Sequence, residues 1–161
     1  MKETIEIANY NFWANQRIAD WLLSNDAELL DKECQSSFHT IGKTINHIWE
    51  AQIFYLSLMK EIPFQKEWDD TTLGAINGLV KHSEDFAIYV SQMTEKDGLS
   101  IRNVKTRAYS SDNNFTQIQL VQHCMNHSTF HRGQLITMGH QLGLSKAPPT
   151  DLLFNWIQND K

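Results

Sequence analysis

Residues 116–143, TQIQLVQHCMNHSTFHRGQLITMGHQLG, decide how the rest of the chain is read. The stretch opens on a capping box, Thr116-x-x-Gln119, and closes on Gly143, the residue type that takes the left-handed position past a helix end. No proline interrupts it, so one long helix is predicted to Leu142. At ~100° per residue, positions 120, 124, 127, 131, 135, 138 and 142 fall on one stripe about 80° wide. That stripe reads Leu, Cys, His, His, Leu, Met, Leu, which assigns His127 and His131 to the core side of the helix.

Working outward, the same periodicity recurs. Apolar residues at Ile5, Ala8, Phe12, Ile18 and Leu22 predict a first helix over Ile5–Leu23, ending before Ser24-Asn25-Asp26. Thr40 is a plausible N-cap for a second helix through Ile41, Ile45, Ile48, Phe54, Tyr55, Leu58 and Met59, which Pro63 stops. Its wide apolar arc implies deep burial. A third helix is expected over Thr72–Met93, with Gly74 and Gly78 weakening its first turns. From Asp97-Gly98 the apolar residues alternate instead, at Leu99, Ile101 and Val104, up to the polar run Ser110–Asn114. This reads as a short hairpin or an irregular crossover. Pro148-Pro149 then resets the chain for a short C-terminal helix, Leu152–Gln158. The expected architecture is all-α, a four-helix bundle with a short added helix, formed as one domain over residues 1–161 without internal repeats or linkers.

The chain has 161 residues and is 41% hydrophobic, enough for one ordinary core. Its net charge of −5 offers no basic field for a phosphate backbone or an anionic membrane surface, so neither nucleic acid nor membrane is an expected partner. No leader-like or membrane-spanning run stands out, and Cys34 and Cys124 lack disulfide-framework or metal-pair spacing. A cytoplasmic protein with reduced thiols is expected. The tryptophans at 13, 21, 49, 68 and 156 are read as bulk for the core and helix contacts.

Seven histidines remain, at 39, 47, 82, 123, 127, 131 and 140. Two imidazoles at i and i+4 point their ring nitrogens at one place beyond the helix, the spacing of the zinc-binding His-Glu-x-x-His helix. Here the intervening residues are Ser128-Thr129-Phe130, so the glutamate of that protease motif is absent. Two ligands rarely make a stable site, and His47, which heads a row with Ala51, Phe54 and Leu58, is the candidate third ligand. His39 precedes its helix, while His82 and His140 fall on polar faces. Spacing alone leaves open whether His127 and His131 bind metal or are hydrogen-bonded core residues. His123 lies about 70° from the centre of the stripe, suited to the surface or to supporting a ligand. Cys124 either faces the site or fills core; Arg132 and Gln134 are either solvated or orient ligands or a substrate anion.

Asn126-His127-Ser128-Thr129-Phe130-His131-Arg132-Gly133-Gln134 resembles the His-Arg-Gly-Gln signature of the DinB/YfiT superfamily. Trp13-Ala14-Asn15, Ile45-Asn46-His47-Ile48 and Pro149-Thr150-Asp151-Leu152 are similar to further motifs of that family, in its order along nearly the whole chain. The resemblance implies an up-down-down-up bundle, often a homodimer, with one divalent metal on His47, His127 and His131. Zinc or nickel is the first expectation, with iron or manganese next. It also implies metal-dependent chemistry on a low-molecular-weight thiol, as in S-transferases, or hydrolysis of a small-molecule substrate. The alternative is a non-catalytic metal- or ligand-binding protein of the stress and DNA-damage response. Glu50 and Asp151 are the acids that could serve as a base, but the sequence places neither, so no catalytic side chain is assigned.

Overall fold

The computed structural model describes residues 1–65, 71–106 and 109–159. Its elements are α1 (Lys2–Leu23), α2 (Ala27–Leu30), α3 (Ile41–Lys60), α4 (Thr72–Ser91), α5 (Glu95–Leu99), β1 (Ile101–Thr106), β2 (Tyr109–Thr116), α6 (Gln117–Leu142) and α7 (Leu152–Asn159). The caps fall where the residue types require them. The Thr40 hydroxyl accepts from Lys43 N at 3.1 Å, the Thr116–Gln119 box is closed in both directions, and Gly143 takes φ 76°. Two one-turn helices were not legible from periodicity, because a single turn has none. Asp26 nucleates α2 by accepting from Glu28 N, and a Thr94–Asp97 capping box starts α5. The segment after α5 resolves as an antiparallel hairpin, with Ile101 opposite Thr116 and Val104 opposite Asn113. Ser110–Asn114, read above as the polar close of that segment, is instead part of β2, in which Asn113 and Asn114 pair with Val104 and Asn103.

The four long helices form the bundle. α1 packs on α4 and α6, and α3 packs on the same two. Tyr89 on α4 donates to the carbonyl of Met59, and Trp49 on α3 lies against Gly78 on α4, so these two helices run parallel. Ala8 near the start of α1 shares one apolar cluster with Leu56 of α3 and Leu120 of α6, and Leu22 at its end shares another with Ile45 and Leu135, so α1 is antiparallel to α3 and parallel to α6. The topology is up-down-down-up. Gly78 is placed by close packing: a Cβ there would collide with the Trp49 indole, and one at Gly139 with Trp21. Trp68 lies outside the described residues. Among those residues no helix is long and apolar enough to cross a membrane.

The core is split. One apolar cluster gathers Ile18, Leu22, Ile41, Ile45, Leu79, Leu135 and Met138; the other gathers Ala8, Leu56, Met59, Phe86, Val90, Leu120 and Cys124. Along every long helix the residues between them are polar and buried: Asn11 and Asn15, Gln52, Ser83, Ser128 and Arg132. Arg132, expected to be solvated or beside the ligands, is 2% exposed. Its Nη1 donates to Asn11 Oδ1 at 2.7 Å and Asn15 Oδ1 at 2.9 Å, and its Nη2 to Thr129 Oγ1 at 2.8 Å and the Tyr10 hydroxyl at 3.3 Å. The two asparagine amides pass the network on, Asn11 to Gln52 Oε1 and Asn15 to Ser83 Oγ. Tyr10 in turn donates to the carbonyl of Thr150 at 2.7 Å, docking the segment before α7. Removing the guanidinium strands several buried acceptors at once, each costing about 1–3 kcal/mol. Arg132→Ala is therefore expected to lose about 3–5 kcal/mol in urea unfolding. Arg132→Lys, which keeps the charge but loses the planar fork, is expected to recover only part of that. Wild-type stability in Arg132→Ala would show that the layer does not hold the helices together.

Candidate metal centre

Where α3 and α6 cross, three imidazoles meet. Capping by Thr40 sets the register that brings His47 to the face of α3 turned toward α6, and the i,i+4 pair rises from α6 to meet it. One ring nitrogen from each of His47, His127 and His131 lies within 4.8 Å of the others, and the Nε2 atoms of His47 and His127 are 2.9 Å apart. The ring centroids are 4.4 to 4.8 Å from one another. The sequence brought these three residues together as candidates, and the fold places them side by side. Their depth differs from expectation: His131 is buried at 5% exposure, but His127 is only half-buried, and so are His47 and its row Ala51, Phe54 and Leu58. The cluster stands at the edge of the α3–α6 interface, and the bundle centre belongs to Arg132.

Hydrogen bonds and burial set the state of the ligand atoms. Gln134 Oε1 accepts from His131 Nδ1 at 2.7 Å, so Nδ1 carries the proton and Nε2 keeps its lone pair. Gln134 is itself held by Ser37, to whose hydroxyl its Nε2 donates at 3.3 Å. Burial first, then the neighbouring imidazoles, pushes the pKa of His127 down to about 3. His47 is lowered by burial and by His131, with Glu50 pulling the other way. Both are neutral at pH 7, as metal ligands must be.

The residues fit a divalent ion on the chemistry of this donor set. One proton satisfies the His47–His127 contact, and the His131 ring stands beside both with its Nδ1 already committed to Gln134. Two nitrogens bound to a tetrahedral zinc at ~2.0–2.1 Å stand about 3.3–3.4 Å apart. The observed spread, from 2.9 Å up to 4.8 Å, brackets that separation. The His127 Nδ1 atom is buried and has no hydrogen-bond partner among the described residues.

Aromatic rings wall the cluster. Phe38, on the loop before α3, stacks on His47 at 4.3 Å and meets His131 edge-on at 5.7 Å; Phe130 meets His131 at 5.0 Å. Phe38 gave no sequence signal, because its loop is aperiodic. It is fixed by local geometry: His39 adopts φ 63°, and its carbonyl accepts from Cys34 N at 2.8 Å. On the other side stands His123, exposed, with its ring 6.3 Å from His127 and 5.1 Å from Tyr55. Cys124 is fully buried in the second apolar cluster, and burial drives its thiol above the ordinary range, so it fills core and supplies no nucleophile. His140 is exposed on α6, and His82 borders a groove with Trp49, Lys81 and Asp85. Of the two acids considered, Glu50 is half-buried and its charge reaches His47, whereas Asp151 is exposed beside the docked Thr150 segment.

The fold and the signature both have relatives. The Bacillus subtilis (strain 168) protein named DinB is 24% identical, over 89% of this chain and 88% of that one. A crystal structure of a DinB-like protein from Bacillus cereus ATCC 10987 superposes with a TM-score of 0.72 at 22% identity, covering 92% of this chain and 96% of that one. A second, the DinB-like protein YjoA of Bacillus subtilis, superposes with a TM-score of 0.69 at 15% identity, over 90% and 97% of the two chains. These structures share the up-down-down-up bundle. The DinB family model matches residues 1–161, and this chain belongs to the DinB family.

Proposed function

We propose that the protein is a divalent-metal-dependent enzyme whose ion is held by His47, His127 and His131 and which acts on a small thiol or, in the nearest variant, on water. The observation that carries the reading is the convergence of three ring nitrogens, one from each histidine, within 4.8 Å of one another. Three neutral ligands leave a zinc or nickel ion its full double charge and an open coordination position, so that it lowers the pKa of a thiol or water bound there. The chain's own residues do the rest. Gln134 orients His131, Phe38 and Phe130 shield one side from solvent, and Glu50 is the acid stationed near His47. Cys124 is buried away from the cluster, which favours a thiol supplied from outside the chain. S-transfer from that thiol to a small electrophile is the reaction class this favours. The same reading takes the chain to act as a cytoplasmic homodimer on small molecules; its net charge of −5 disfavours nucleic acid.

Metal content of untagged protein measured by plasma mass spectrometry tests the ligand set. Wild type is expected to hold close to one ion per chain, His47→Ala, His127→Ala and His131→Ala to lose it, and His140→Ala to keep it. Equal metal in all of them would sink the assignment. Gln134→Ala, which frees the His131 ring, is expected to weaken the metal about 10- to 100-fold in a chelator competition. Proton competition gives a third outcome. A ligand whose pKa lies near 3 rather than 6.5 stays neutral as the solution is acidified, so metal is expected to survive dialysis at pH 6 and to leave as the pH falls towards 3. Full retention of metal at pH 3 would mean that imidazoles are not the ligands.

A further inference from the structure

Beside the three-histidine cluster, under the hairpin, lies a cavity of about 440 Å³. That volume falls in the range of small-molecule sites, ~300–1,000 Å³. Its walls come from three directions: Tyr55 from α3, Val104, Asn113 and Phe115 from the hairpin, and Leu120 and His123 from α6. Gln119 completes the lining, but its amide oxygen is taken up by the backbone N and hydroxyl of Thr116 at 2.9 and 3.2 Å. Among the described residues no lysine, arginine, aspartate or glutamate borders the space. What faces a ligand is mostly carbon, with two aromatic rings, the amides of Asn113 and Gln119, and the His123 imidazole.

This lining is selective. A charged ligand would surrender its hydration with no counter-ion among the described lining residues, whereas an aromatic ring gains offset or edge contacts with Tyr55 and Phe115. The cavity also has an address. His123 is a wall of it and stands 6.3 Å, ring to ring, from His127, so one imidazole separates the space from the cluster. We propose that this cavity binds an uncharged ligand carrying an aromatic ring, the acceptor substrate of the reaction, with His123 as the polar edge turned toward the metal centre. The role of that ligand as substrate rests on the metal-dependent reading above; its binding does not.

The test uses N-phenyl-1-naphthylamine, an uncharged fluorescent aromatic, and 8-anilinonaphthalene-1-sulfonate as its anionic counterpart. Wild type is expected to bind the neutral probe saturably, one per chain, and the sulfonate at least about tenfold more weakly, a difference of ~1.4 kcal/mol. Phe115→Glu, which sets a charge in the hairpin wall, is expected to weaken the neutral probe by a similar factor. His47→Ala, which touches the cluster but not the cavity, is expected to leave probe binding within about twofold. A readout on unaltered protein guards against a misfolded variant: probe addition is expected to shift the imidazole NMR signals of His123 and leave those of His140 in place. Absent saturable binding, equal affinity for the sulfonate, or an unmoved His123 signal would overturn the proposal. A chain that takes up no metal yet binds the probe at His123 supports the cavity and removes the metal reading alone.

Discussion

The guanidinium of Arg132 sits midway along the bundle and has no carboxylate partner among the described residues. A charge that has left water needs partners where it stands, and here neutral oxygens from Asn11, Asn15, Tyr10 and Thr129 take the two Nη groups, while Nε has no partner among the described residues. Those side chains are not free to drift, because Asn11 is tied to Gln52 and Asn15 to Ser83. All four long helices therefore share one register at one level, with an apolar cluster above and another below. Apolar packing tolerates small slides of one helix past another. A fork of donors with fixed directions does not.

That constraint also aims the histidines. On α6, Arg132 lies about 100° around the helix from His131 and about 140° from His127. Turning Arg132 to the bundle axis against α1 necessarily turns the two imidazoles outward, to the seam with α3, where His47 meets them. The cluster is consequently half-open, in contrast to a structural site sealed by protein ligands. Gln134, one turn beyond His131, finishes the aim by selecting which ring nitrogen keeps its lone pair. Positioning of the ligand atoms is thus a by-product of how the buried charge is satisfied.

The surroundings of the seam are unequal. Phe38 and Phe130 close one side with carbon, and the loop bearing Phe38 is anchored to α6 through Ser37 and Gln134. The other side passes by way of His123 to the space under the hairpin. The hairpin that roofs it runs straight into α6, since Thr116 both ends β2 and caps the helix. The hairpin between two bundle helices thus gives the histidine cluster a neighbouring cavity.

Most of the architecture was legible in the sequence because it is local. Apolar spacing marked the four long helices, Pro148-Pro149 marked the start of α7, the capping residues at Thr40, Thr116 and Gly143 marked three helix ends, and the i,i+4 spacing of His127 and His131 marked the candidate site, to which the row on α3 added His47. One-turn helices and the extent of the hairpin escaped, since a turn has no period and a polar strand resembles a loop. Periodicity reports only which side of a helix is apolar, so it placed both α6 histidines in the core and left Arg132 outside. Long-range contacts altered that order: His131 stays buried, His127 is half-open, and only in the assembled bundle do Asn11, Asn15 and Tyr10, more than a hundred residues away in the chain, arrive as acceptors for a buried guanidinium. The sequence by itself determined the helices and the candidate ligands; the tertiary structure alone decided which polar groups are buried and which face a cavity, because burial belongs to the contact between elements and not to any one of them.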